Sequence, residues 1–205
     1  MKILHIDCSP RKASQSRKLS IAMMDRLLSK YPNARILRRD LGQYPIPHLD
    51  ADYAVALCSS QSSITSPEKT FSLSEQLIHE LEDADIIVLG TPVNNFTVPS
   101  VLKAWFDQIL RMGRTIGVTD SGEKVGLLKD LPVYIGIASG GIFLGKDAKQ
   151  PDFMTSYMKV AFNCMGIRNV HFLPLQGTAF LDSVELDMQR EQLVLSMDVE
   201  AATCK

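Results

Sequence analysis

The feature that most constrains this chain is one strand–loop–helix unit near its middle. Asp85-Ile86-Ile87-Val88-Leu89 is a short β-branched apolar run, as expected of a strand buried on both faces. Beyond a polar loop, Val98, Val101, Leu102, Trp105, Phe106, Ile109 and Leu110 recur at helical spacing. Pro99 stands where a first helical turn tolerates it. A strand buried on both faces needs helices above and below it, and its parallel neighbours can be reached only through crossovers.

The same alternation runs along the chain. Lys2–Asp7 reads as a strand, and Ser16–Lys30 as a helix with Leu19, Ala22, Met23 and Leu27 on one face. Ala34–Arg38 reads as a second strand, nearer an edge because it carries arginines. A long connection with Pro45, Pro47 and a run of serines leads to Ser66, followed by a helix over about Pro67–Leu81. After the Trp105 helix, Gly113–Lys129 breaks the rhythm as a small hairpin insertion. Pro132–Ala138 is another buried strand, Phe153–Met165 a helix, Asn169–Leu173 the last strand and Asp182–Ala202 a closing helix.

Five strands separated by helices predict a doubly wound α/β fold built as a three-layer sandwich. The flavodoxin-like parallel order 2-1-3-4-5 is the leading arrangement. Residues 1–205 read as a single domain, which at this length buries roughly 70% of its unfolded surface. In such a sheet ligands sit outside the carboxyl ends of the strands, where the order reverses. That point lies between the first and third strands. The loops leaving them are Cys8–Gln15 and Thr91–Thr97.

The first loop, Cys8-Ser9-Pro10-Arg11-Lys12-Ala13-Ser14-Gln15-Ser16, ends at a helix N-terminus, whose free N–H groups suit an anion. It contains neither G-x-G-x-x-G nor G-K-[ST], which speaks against a dinucleotide or a triphosphate. A serine-rich loop suits one terminal phosphate monoester; the plain alternative is that Ser14 or Ser16 merely caps the helix. Arg11, Lys12, Arg17 and Lys18 form a basic cluster that either solvates the helix start or attracts the phosphate.

The third-strand loop offers a flat heterocycle backbone amides and the Asn94 and Asn95 side chains. Phe96 and Trp105 read as core residues first, with Phe96 also a candidate for the site. After the fourth strand, Gly140-Gly141 permits close backbone approach, though an ordinary turn would use them equally.

Other chemistries find little support. His5, His48, His79 and His171 are scattered, and there is no G-x-S-x-G elbow. Asp7 lacks the acidic neighbours of a phospho-acceptor pocket. A formal net charge of -1 gives no reason to expect nucleic acid or an anionic membrane as partner. The apolar start is too short for a signal peptide, and no run reaches the roughly 20 residues of a membrane span. Cys8, Cys58, Cys164 and Cys204 show no C-x-x-C spacing, so a reduced cytoplasm is the expected home.

Several segments together resemble one family. They are Ser9 with Ser14-Gln15-Ser16, Pro92-Val93-Asn94-Asn95-Phe96-Thr97-Val98-Pro99, Leu102-Lys103-Ala104-Trp105-Phe106-Asp107, Gly113-Arg114-Thr115, Ser139-Gly140-Gly141 and Met165-Gly166-Ile167. In this order they are similar to the FMN-dependent NADH-azoreductases, also described as NADH:quinone oxidoreductases, of the flavodoxin-like superfamily. The resemblance implies a homodimer with tightly bound FMN, NADH or NADPH as co-substrate, and a quinone or azo acceptor served in a ping-pong cycle through flavin N5. It implies that Ser9, Ser14, Gln15 and Ser16 hold the phosphate. Pro92, Val93, Asn94, Asn95 and Phe96 would line the isoalloxazine, with Ala138, Ser139, Gly140 and Gly141 along its other polar edge. No catalytic side chain is implied. Asn94 stands where the family commonly has tyrosine, and Ala138-Ser139 where it commonly has serine and arginine. Rival expectations are a flavodoxin-type electron carrier, a flavin-binding protein without turnover, and a reductase of the FAD- or NADPH-using branches.

Overall fold

The structure is a computed structural model that describes residues 1–58 and 67–199. Five parallel strands form the central sheet: β1 (Lys2–Asp7), β2 (Arg35–Asp40), β3 (Ile86–Pro92), β6 (Val133–Ala138) and β7 (Val170–Leu175). Their order is β2-β1-β3-β6-β7, and a separate antiparallel hairpin pairs β4 (Ile116–Val118) with β5 (Lys124–Gly126). Setting the hairpin aside, this is the expected 2-1-3-4-5 order.

Both faces of the sheet are covered, and the strand sequences show why. Successive side chains point to opposite faces. Ile3, Ile86, Val88 and Tyr134 pack with Leu19, Met23 and Leu27 of α1 (Gln15–Lys30) and with Leu186 and Val194 of α7 (Ser183–Leu195). The alternate residues Leu4, Ile6, Ile87, Leu89 and Ile135 pack against the opposite layer. That layer holds α4 (Ser72–Asp83), α5 (Ser100–Ile109) and α6 (Met154–Cys164). Trp105, Phe106 and Phe162 are fully buried there, and Phe106 meets Trp105 at 5.2 Å and Phe162 at 5.4 Å edge to face. Each such pair adds about 1 kcal/mol beyond burial alone.

β2 is the exposed edge strand its arginines suggested; Arg39 pairs with Glu80 and Asp40 with Arg17. Three expectations need correction. The connection after β2 contains a short helix, α2 (Ala51–Cys58), whose first turn Asp50 caps by accepting from Tyr53 N–H at 2.8 Å. The expected Pro67–Leu81 helix is broken into α3 (Pro67–Thr70) and α4. Phe71, at the break, sets its ring against Tyr53, 5.1 Å between centroids, and under the Arg111 guanidinium at 4.6 Å. The closing helix ends at Leu195 rather than Ala202, where Arg26 donates to the Leu195 and Met197 carbonyls. Cys204 and the serines of 59–66 lie outside the described residues.

The hairpin is docked by close backbone contact. A Cβ on Gly126 would fall 1.9 Å from the Gly166 nitrogen, and Leu128 N–H donates to the Met165 carbonyl at 2.9 Å.

Candidate functional site

The crevice opens where β1 and β3 run side by side, with Asp7 opposite Gly90 and Cys8 N–H bonded to the Gly90 carbonyl at 2.9 Å. From β1 the crossovers lead to one side of the sheet, and from β3 to the other. The loops that follow therefore diverge and leave room between them.

The serines of the loop after β1 are buried and already hydrogen bonded, while Pro10–Ala13 are exposed. Ser9, Ser14 and Ser16 are 2%, 3% and 0% exposed. Ser14 is the N-cap of α1, its hydroxyl accepting from Arg17 N–H at 3.3 Å, while Ser16 Oγ lies 3.3 Å from Ser14 Oγ. Ser9 Oγ accepts from Arg11 N–H at 3.3 Å, and Ser14 N–H returns to the Arg11 carbonyl at 3.2 Å. Helix geometry leaves the N–H groups of Gln15 and Ser16 without intrahelical acceptors. The helix-cap reading thus holds for Ser14, and the same turn keeps a convergent set of donors.

Arg17 does not serve this cradle as a free cation. Its guanidinium turns behind the loop, donating to the Ser9 carbonyl at 2.9 and 2.6 Å and to both oxygens of Asp40 at 2.8 and 2.5 Å. Burial works against ionising Asp40, yet the Arg17 hydrogen bonds and the Gln43 and Gly42 N–H groups hold its carboxyl below the ordinary range. Arg11, Lys12 and Lys18 are exposed. Cys8 is fully buried, and burial first, then the Asp7 charge, pushes its thiol far up, so it is no nucleophile.

The loop after β3 is built differently. Val93 N–H bonds the Ala138 carbonyl at 2.9 Å, tying it to the end of β6. Asn94 and Thr97 then exchange two backbone hydrogen bonds, at 3.0 and 3.1 Å, around a tight turn. Its central residues Asn95 and Phe96 have φ of 48° and 71°. A left-handed phenylalanine is a sterically costly choice, and such residues gather at functional sites. Phe96 is 51% exposed, which corrects the expectation of a core residue, whereas Trp105 is fully buried as expected.

Beyond β6, Ala138 and Ser139 are buried at 8% and 3%, and Gly140 is exposed. This loop is stitched to the one after β7. Ser139 N–H donates to the Leu175 carbonyl, Thr178 N–H to the Ser139 carbonyl and Gly177 N–H to the Gly141 carbonyl, at 3.0, 3.0 and 3.1 Å. Gln176 Oε1 accepts from Phe143 and Leu144 N–H at 2.9 and 2.8 Å. The supporting role of Gln176–Ala179 was missed in the sequence. The rule that loops follow strand carboxyl ends would have pointed to it.

All the sequence-selected residues thus lie along one edge of the sheet. They offer donors, backbone and one exposed aromatic ring, and none carries an acid or base. His5 lies under the first loop, 3% exposed, with Nε2 3.4 Å from Asp7 but in no hydrogen bond. His48 is exposed in its loop. Among the described residues no cluster could hold a metal ion, and no helix is long and apolar enough to cross a membrane.

Fold and site together define a flavodoxin-like protein, and the family described by the flavodoxin-like fold matches residues 1–196. Within it, the chain belongs with the FMN-dependent NADH:quinone oxidoreductases. It is 41% identical over 197 residues to one from Pseudomonas fluorescens, covering 94% of each chain. To another, from Burkholderia lata, it is 40% identical over 195 residues, covering 95% of this chain and 93% of the relative. The solved FMN-dependent NADH-azoreductase of Bacillus anthracis in complex with FMN superposes with a TM-score of 0.82 at 27% identity, covering 98% and 97% of the two chains.

Proposed function

We propose that this protein is an FMN-dependent NAD(P)H oxidoreductase acting on quinones and azo compounds. The observation that carries this reading is Gly140. Its φ is not left-handed, and an added Cβ would meet only the Ala179 Cβ, at 3.6 Å. The fold would accept a side chain there, so the glycine serves something that approaches from outside the chain.

The residues fit FMN at both ends. Ser9, Ser14, Gln15 and Ser16 supply hydroxyl, amide and helix N-terminal donors suited to a phosphate monoester. Pro92, Val93, Asn94, Asn95 and Phe96, with Ala138, Ser139, Gly140 and Gly141, supply the backbone edge and apolar surface suited to the ring. Held by these residues, FMN would supply the redox chemistry that carries a hydride from NADH or NADPH to a quinone or azo acceptor. The chain binds and orients the flavin, and donors near Asn95 and Gly140–Gly141 stabilise the negative charge that reduction places on it. No side chain is named as catalytic.

The working unit in this reading is a cytoplasmic homodimer of single-domain subunits. Exposed Phe96, Phe153 and Phe180, with Val118 and Leu127 of the hairpin, are apolar surface that a second copy would cover.

The test is the visible spectrum of FMN-reconstituted protein, followed by NADH without oxygen. Flavin bands that bleach and return on adding a quinone support the proposal. A stable blue semiquinone would instead indicate a one-electron carrier, and a protein that takes up no flavin would remove the function altogether.

A further inference from the structure

We infer that Arg190, on the C-terminal helix, is a positioning residue for the flavin phosphate, acting through Gln15; this rests on the FMN reading above. Its Nη1 lies 3.3 Å from Gln15 Oε1, joining residues 175 apart in the chain. The Arg190 side chain is only 15% exposed, and its Nη2 pairs with Asp187 one turn earlier, itself 64% exposed. Asp187 thus anchors one arm of the fork and leaves the other for Gln15.

A guanidinium only donates hydrogen bonds, so the atom it meets on Gln15 is the amide oxygen. That settles which way the carboxamide is turned. The oxygen is engaged by Arg190, and the two N–H donors of the same amide remain unspent beside the serine loop. A phosphate only accepts. Released from Arg190, the amide can present its oxygen to the anion, exchanging an attraction for a repulsion. Arg17, committed to Asp40 and the Ser9 carbonyl, does not reach this amide, so its orientation rests on Arg190.

The test compares FMN with riboflavin, which has the same ring and no phosphate, by flavin fluorescence quenching on full-length apoprotein. Arg190→Ala is expected to raise the FMN Kd about tenfold and leave riboflavin within about twofold, the size of one charge-assisted contact. Arg190→Lys, which still donates to the amide oxygen, recovers part of the loss. Gln15→Glu keeps a partner for Arg190 but removes the amide donors, and is expected to weaken FMN selectively as well. Equal weakening of both flavins by Arg190→Ala would show that the residue only supports the fold, and no change in either would show that it does nothing; both overturn the inference. If the unmutated protein binds FMN no better than riboflavin, the phosphate-loop reading itself fails and takes the inference with it, a result visible before any variant is made.

Discussion

The loop after β1 and the loops after β3 and β6 border the same crevice and are built in opposite ways. The first presents buried, hydrogen-bonded serines and is clamped from behind by Arg17. The others are open to solvent at Asn94–Phe96 and at Gly140, and the loop after β3 holds Asn95 and Phe96 in left-handed conformations. An anion is held by donors already in place and partly withdrawn from water, because assembling them on demand would cost their hydrogen bonds to solvent. A planar ring brings its own apolar surface, so its site can stay open until the ring arrives. The difference assigns rigidity to one end of the site and stored strain to the other.

The largest expected effect sharpens the rigid end. Ser9→Ala combined with Ser16→Ala removes two hydroxyl donors at almost constant volume. FMN affinity should fall about a hundredfold while riboflavin binding stays nearly unchanged; equal losses for the two flavins would erase the distinction between the ends. A pair of glycines then separates fold from site. Gly126→Ala forces a Cβ against the Gly166 backbone and should cost about 2 kcal/mol in denaturant unfolding, with the hairpin displaced. Gly140→Ala should leave unfolding unchanged or slightly stabilised, yet weaken FMN about tenfold. Loss of stability at Gly140 would mean that the fold, not a ligand, requires it.

Phe96→Gly addresses the strained end. Relief of the left-handed phenylalanine should stabilise the apoprotein by about 1 kcal/mol, read by chemical denaturation, while ring binding weakens. A destabilised variant would show that the exposed ring packs on the protein rather than waiting for a ligand.

Acid should produce the smallest effects. Burial first, with further lowering by Arg38 and Arg17 against the opposing pull of Asp7, holds His5 neutral and its pKa below the ordinary 6.5. Protonation therefore favours the unfolded chain, and stability should decline gently as pH falls below about 6.5. Asp40 has its folded pKa depressed below 3.8, so its contribution is complete above that value and is lost only in stronger acid. His5→Gln should flatten the first decline and leave the second. Stability that rises as pH falls from 6.5 to 4 would contradict the His5 assignment, and no loss below pH 3.8 would contradict that of Asp40.

Local pattern was enough to read the strands, most helices and the loops that follow β1, β3 and β6, because burial on both faces writes itself into runs such as Ile86–Leu89 and helical faces such as Leu19, Met23 and Leu27. The sequence also carried the Asp50 cap of α2, which the prolines before it obscured. Other features had no local signal. The break at Phe71 arises because Tyr53 and Arg111 arrive from other elements to receive its ring. Asparagine tolerates a left-handed turn, but nothing in the identity of Phe96 announces one.

By itself, then, the sequence determined a doubly wound sheet of order 2-1-3-4-5 and the chemistry available at its carboxyl edge, since periodicity and loop composition are properties of neighbours along the chain. Only the tertiary structure decided what those side chains are free to do. Arg17 turned away from the cradle toward Asp40, Arg190 came from the last helix to Gln15, and Gln176 came from the loop after β7 to hold the glycine loop. Each is a hydrogen bond between groups far apart in sequence, and such a bond exists only once the sheet has brought its ends together.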